Sequence, residues 1–115
     1  MAKRTKQLED EKPPHYVGSC RDGNDIYKIT EAIVTPSTIM VTWKEGHSVG
    51  SMKVTSSNGR AYSGSYRYND DPSLRTADLV RSDKEGGDVV LVGTWEDKTV
   101  PNWRGEWTFE LTPNV

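Results

Sequence analysis

The sequence predicts an all-β protein, an antiparallel up-and-down β-barrel of about eight strands. Three observations predict it. Val, Ile and Thr make up 26 of the 115 residues, and ten aromatics stand beside only five Leu and four Ala. Such side chains fit a pleated, half-buried surface better than a helix. Turn signals recur at intervals of roughly ten to fifteen residues, the rhythm of short strands joined by hairpins. Most segments between them alternate apolar and polar with period two, so one face of each strand is buried and the other wet.

The elements follow in order. Residues 1–14 carry four cations, three anions, two prolines and one large apolar residue after the initiator, Leu8. That composition cannot offset its ordering entropy and predicts a disordered polar tail, leaving residues 15–115 as a single barrel domain. The first strand runs through Gly18-Ser19-Cys20 to the turn Asp22-Gly23-Asn24. The second places Tyr27, Ile29, Glu31 and Ile33 on one face, which sets a carboxylate among core residues unless a bulge ejects it. The third opposes Ile39, Val41 and Trp43 to Met40 and Thr42, and the fourth opposes Gly50, Met52 and Val54 to Ser51, Lys53 and Thr55. Asn58-Gly59 is the strongest hairpin signal, because a type I′ turn needs φ > 0 at both central positions.

The fifth strand carries Tyr62, Gly64, Tyr66 and Tyr68 on its inner face. The sixth segment, 72–81, reads two ways. As a strand it must turn either Arg75 and Arg81 or Asp78 inward; as a helix, Asp71-Pro72-Ser73 would cap a run through Leu74, Ala77 and Val80. A strand makes eight and allows closure of the sheet. The seventh strand runs Val89-Val90-Leu91-Val92 without alternation, so Val90 and Val92 point outward if Leu91, Gly93 and Trp95 point in. The eighth sets Trp103, Gly105, Trp107, Phe109 and Leu111 against Arg104, Glu106, Thr108 and Glu110.

Glycine precedes a large side chain by two positions in five of these strands, at Gly18, Gly50, Gly64, Gly93 and Gly105. Glycine weakens a strand interior, but on an inward face it permits strong coiling and leaves room for a neighbouring aromatic.

Tyr62-Ser63-Gly64-Ser65-Tyr66, Val92-Gly93-Thr94-Trp95 and Trp103-Arg104-Gly105-Glu106-Trp107 resemble the Gly-x-aromatic strand motifs of calycin-type barrels, the streptavidin-like and short lipocalin-like domains. The resemblance spans residues 16 to 112 in strand count and spacing. It implies the barrel fold and, at most, a ligand class. No Gly-x-Trp opens the first strand and no biotin-site polar set aligns, so biotin binding is not implied. Similar short barrels in bacterial antiphage effectors imply a further alternative, a nucleotide-sensing role.

Composition narrows the functions. Fifteen Lys+Arg against seventeen Asp+Glu argue against nucleic acid polymers and anionic membranes as partners. No apolar run reaches the ~18 residues of a spanning helix, and one cysteine suits a cytoplasmic setting. His15, His47 and Cys20 show no metal-ligand spacing, and no nucleophile–base arrangement or phosphate loop appears. No cofactor and no catalytic residue is therefore predicted.

What remains is polar and aromatic chemistry facing inward. Glu31 and Arg75 are candidates to meet each other or a ligand, and Trp43, Tyr62, Tyr66, Trp95 and Trp107 to stack on it, against the plainer reading that these aromatics fill the core. The expected function is binding of a small hydrophobic or planar ligand at the barrel mouth. The alternative is a protein-interaction or homodimerisation module using Val90 and Val92 on the outer face of the 89–92 run. An enzyme on the barrel is a third reading, and it gains if Glu31, His47 and Arg75 converge.

Overall fold

The computed structural model describes residues 15–114, apart from the side chains of Pro72 and Leu74. The tail predicted over 1–14 lies outside the described residues. Eight strands follow one another: β1 (His15–Asp22), β2 (Asp25–Val34), β3 (Thr38–Glu45), β4 (Ser48–Thr55), β5 (Ala61–Tyr68), β6 (Asp71–Asp83), β7 (Val89–Asp97) and β8 (Arg104–Pro113). Each pairs antiparallel with the next, and β1 pairs antiparallel with β8, so the sheet closes in up-and-down order. The all-β barrel expected from the alternation is the fold. The ambiguous sixth segment is a strand of thirteen residues, not a helix. Closure decides this, because Arg75 to Asp83 pair continuously with Val89 to Asp97 and supply the edge that β5 and β7 both need.

Two irregularities set which side chains face inward. In β2 the register slips between Ile29 and Glu31. Ile29, Ala32 and Val34 are buried, whereas Thr30 and Glu31 are both exposed. A bulge of this kind inserts one residue and flips the alternation beyond it. The strict period-two reading of Tyr27, Ile29, Glu31 and Ile33 as one face is thereby corrected. In β8 the strand begins at Arg104, so Trp103 stands in the preceding loop, 52% exposed, and not on the inner face with Trp107.

The glycines do two different jobs. Gly50 and Gly105 sit opposite Trp43 and Trp95 in register, and a Cβ on either would come within 2.3 Å of the Trp43 ring or 2.7 Å of the Trp95 ring. Gly18, Gly64 and Gly93 instead lie against backbone, with a built Cβ only 1.8 Å from the Glu110 carbonyl, 2.0 Å from that of Lys53 and 1.8 Å from that of Asp78. The first pair makes room for tryptophans; the other three let the sheet coil tightly enough to close.

The two ends differ. At the end formed by the β2–β3, β4–β5 and β6–β7 connections, Val34, Ile39, Val54, Val89 and Leu111 are buried, and Tyr62 closes the interior with 1% exposure. Its hydroxyl donates to the carbonyls of Thr35 and Pro36 and accepts from Arg81. The β6–β7 connection is one turn of 3-10 helix, Glu85–Gly87. The opposite end, where β1, β3, β5 and β7 finish, is not filled.

Candidate functional site at the barrel mouth

A cavity of about 300 Å³ opens at that end, lined by Asp22, Glu45, Tyr66, Tyr68, Arg75, Trp95, Asp97, Trp103 and Trp107. Asp22, Glu45, Tyr68 and Asp97 are the last residues of β1, β3, β5 and β7, so the up-and-down topology alone brings them together. The pleat then points the next inward residues, Tyr66, Arg75, Trp95 and Trp107, into the same space.

Behind these stands an aromatic layer. Trp43, 1% exposed, packs edge-on against Tyr68, Trp107 and Phe109 at centroid distances of 6.0, 5.8 and 6.1 Å. Tyr66 lies 4.8 Å from Trp107. Trp103 stands edge-on to Trp95 at 6.5 Å and forms the outer lip.

The cation of the cavity is engaged. Arg75 places Nε 3.2 Å from the Asp97 carboxylate and one terminal nitrogen 3.0 Å from that of Asp71, and its guanidinium lies 5.0 Å over the Tyr68 ring. Its other terminal nitrogen reaches the carbonyls of Asp71 and Ser73. Asp97 also accepts from the Thr99 hydroxyl and amide. Those two bonds, with Arg75 beside them, hold its carboxyl below the usual aspartate range. Ser73 and Arg75 hold Asp71 down at about 2.

Asp22 and Glu45 are placed differently. Among the described residues Asp22 makes no ion pair, and burial pushes its carboxyl above the ordinary value. Glu45 accepts at Oε1 from the Tyr68 hydroxyl at 2.8 Å and the Trp43 indole at 3.4 Å, and its Oε2 has no described partner. Burial, and then that bond to Glu45, push the Tyr68 hydroxyl far above its normal range. Burial raises the Cys20 thiol beneath them to about 12, so it stays protonated and acts as a small core hydrophobe. The indole N–H of Trp107 is buried without an acceptor, and that of Trp95, short of hydrogen-bond geometry, is close enough to the Asp22 carboxylate to temper the rise in its pKa.

The structure brings together four of the seven side chains expected to bind a ligand: Tyr66, Arg75, Trp95 and Trp107. Trp43 supports them from behind. Tyr62 belongs to the packed end. Glu31 sits outside the barrel, its carboxylate 3.5 Å from His15 Nδ1, and never meets Arg75, whose partners are the aspartates 71 and 97. His47 is exposed in the β3–β4 turn, so Glu31, His47 and Arg75 do not converge. Among the described residues, no three His, Cys, Asp or Glu side chains cluster as metal ligands.

Sequence reasoning missed Asp22, Glu45, Tyr68, Asp97 and Trp103. Four of these are strand-end residues beside turns, where solvation is the ordinary expectation. A signal existed in their positions: in an up-and-down barrel, the ends of odd-numbered strands share one rim.

On the outer wall, Val92 is 50% exposed and pairs in register with Val80, 51% exposed, while Val90 is only half-buried. Among the described residues no helix is long and apolar enough to cross a membrane. No protein-family model, no curated protein and no solved structure matches the chain.

Proposed function

We propose that the protein is a small-molecule-binding barrel that holds one ligand at its mouth. One observation carries this reading: the interior is packed solid at one end and left open at the other, where aromatics surround a cavity of about 300 Å³. A barrel used only as a rigid module has no reason to leave one end unfilled, since unfilled volume costs stability. The size suits a compact ligand of one ring or a short chain. Kinship with calycin-type barrels is part of this proposal, supported by the Gly-x-aromatic strands and the closed eight-stranded order. The nucleotide-sensing alternative draws less support, because Arg75 is the one cation among the described lining residues and its donors are taken.

The test is tryptophan fluorescence with thermal unfolding, using panels of amines, neutral aromatics, fatty acids and nucleotides. Three of the four tryptophans line the cavity, so a bound ligand changes emission and raises the melting temperature. No response from any class at millimolar concentration overturns the reading.

One observation favours the alternative module: the in-register Val80–Val92 pair exposed on the outer wall. Sedimentation over a range of concentrations separates the two. A dimer that Val92→Lys dissociates supports the module; a monomer stabilised by ligand supports the mouth.

A further inference from the structure

The charge around the cavity is lopsided. Three carboxylates and one guanidinium line it, and the guanidinium is already neutralised by Asp97 inside and Asp71 at the rim. Asp22 and Glu45 therefore line the cavity without an ion pair among the described residues. The other described basic groups near the mouth do not line the cavity. Lys98 pairs with Glu96, His47 is exposed in the β3–β4 turn, and Arg21 and Arg104 line an adjoining outer groove that meets the cavity at Asp22, Trp95, Trp103 and Trp107.

The walls reinforce this preference. Aromatic faces carry a negative quadrupole and attract cations, most strongly where water is excluded. Tyr68 already holds one cation in this way, the Arg75 guanidinium. Trp107, 4% exposed and lining the cavity, keeps an indole N–H without an acceptor, so the wall is not satisfied by the protein alone. A carboxylate pair beside an electron-rich box, whose one described cation is already paired, repels anions and rewards an ammonium head.

We propose that the ligand is a small organic ammonium ion, its charge facing Asp22 and Glu45 and its carbon shell packed on Tyr66, Tyr68 and Trp107. This rests on the mouth-binding reading and specifies the class of ligand. An oxygen acceptor near the ammonium, as in an amino alcohol, complements the Trp107 indole donor.

The experiment is calorimetric titration of the full chain with choline and phenethylamine, with their neutral isosteres 3,3-dimethylbutan-1-ol and 2-phenylethanol, and with phenylacetate. The cations bind at least tenfold more tightly than the neutral compounds, and phenylacetate binds weakest. Asp22→Asn and Glu45→Gln each weaken cation binding by roughly five- to tenfold more than they change binding of the neutral compounds, the size of one charge interaction across a partly solvated gap. Circular dichroism establishes that each variant is folded, and the neutral compounds give a second readout should either variant be destabilised. Neutral or anionic ligands binding as well as or better than the cations overturn the ammonium assignment and leave the mouth reading standing. Absence of binding by all five compounds, with no response in the wider fluorescence panel, overturns both.

Discussion

Arg75 and Asp97 face each other across the β6–β7 ladder, guanidinium to carboxylate at 3.2 Å, with 8% and 4% of each residue exposed. Their pairing converts what would be the cavity's strongest anion-binding group into a strut. Arg75 reads from sequence as a ligand contact, but its donors are spent on Asp97, Asp71 and two carbonyls. Removing Asp97 leaves the buried guanidinium with only the rim carboxylate of Asp71, an incomplete neutralisation that costs more than replacing both members of the inner pair. Asp97→Asn therefore lowers the melting temperature by about 5–10 °C, and Arg75→Met with Asp97→Leu recovers a substantial part of it. Thermal unfolding of the two variants measures this.

The Asp22 carboxylate works against stability. Burial raises its pKa, so the folded state holds that proton more tightly than the unfolded chain does. For an acid shifted upward, the penalty is absent below its unfolded value, grows as pH rises from there to the folded value, and is fully present above it. Asp22→Asn raises the melting temperature at pH 7 by about 2–5 °C while weakening ammonium binding. A variant both less stable and unchanged in binding overturns this account.

Asp71 and Asp97 have the opposite sign. Their folded pKa values lie below the ordinary aspartate value, Asp71 at about 2. The stability they contribute is present above pH 4 and is lost as pH falls from there towards 2. Urea midpoints measured across that window decline for the native chain and decline less for Asp71→Asn.

The glycines separate fold from site. A methyl at Gly93 meets the Asp78 carbonyl oxygen at 1.8 Å, backbone against backbone, so Gly93→Ala costs more than about 3 kcal/mol or prevents closure. A methyl at Gly23 meets nothing within 4 Å, and only its φ of +64° is strained, so Gly23→Ala costs about 1 kcal/mol. Gly105→Ala displaces the Trp95 ring from the cavity wall, and so changes tryptophan emission and ligand response. Denaturant melts rank the three.

Tyr62 tests the division between the two ends. Its hydroxyl bonds the Thr35 and Pro36 carbonyls at the packed end. Tyr62→Phe costs about 1–2 kcal/mol and leaves ligand affinity unchanged. Tyr68→Phe removes the bond to Glu45 inside the cavity and changes affinity. An affinity change in the first variant as large as in the second contradicts the placement of the site.

The barrel is legible along the chain. Alternation in β3, β4, β5 and β8 names the inward residues Ile39, Val41, Trp43, Met52, Val54, Tyr62, Tyr66, Trp107, Phe109 and Leu111, because a strand's period of two leaves no freedom once one face must be buried. The five glycine positions followed from the same logic. Tertiary structure alone decided three things. The bulge after Ile29 sent Glu31 outward, because one inserted residue reverses the faces and leaves no mark in composition. Closure made β6 a strand, since its partners on both sides lie elsewhere in the chain. The site came last. Asp22, Glu45, Tyr68 and Asp97 are separated by 22 residues or more in sequence and are neighbours only because odd-numbered strands end on one rim. Alternation is local and can be read along the chain; which strand ends meet, and which charges are already paired there, depends on how the sheet closes.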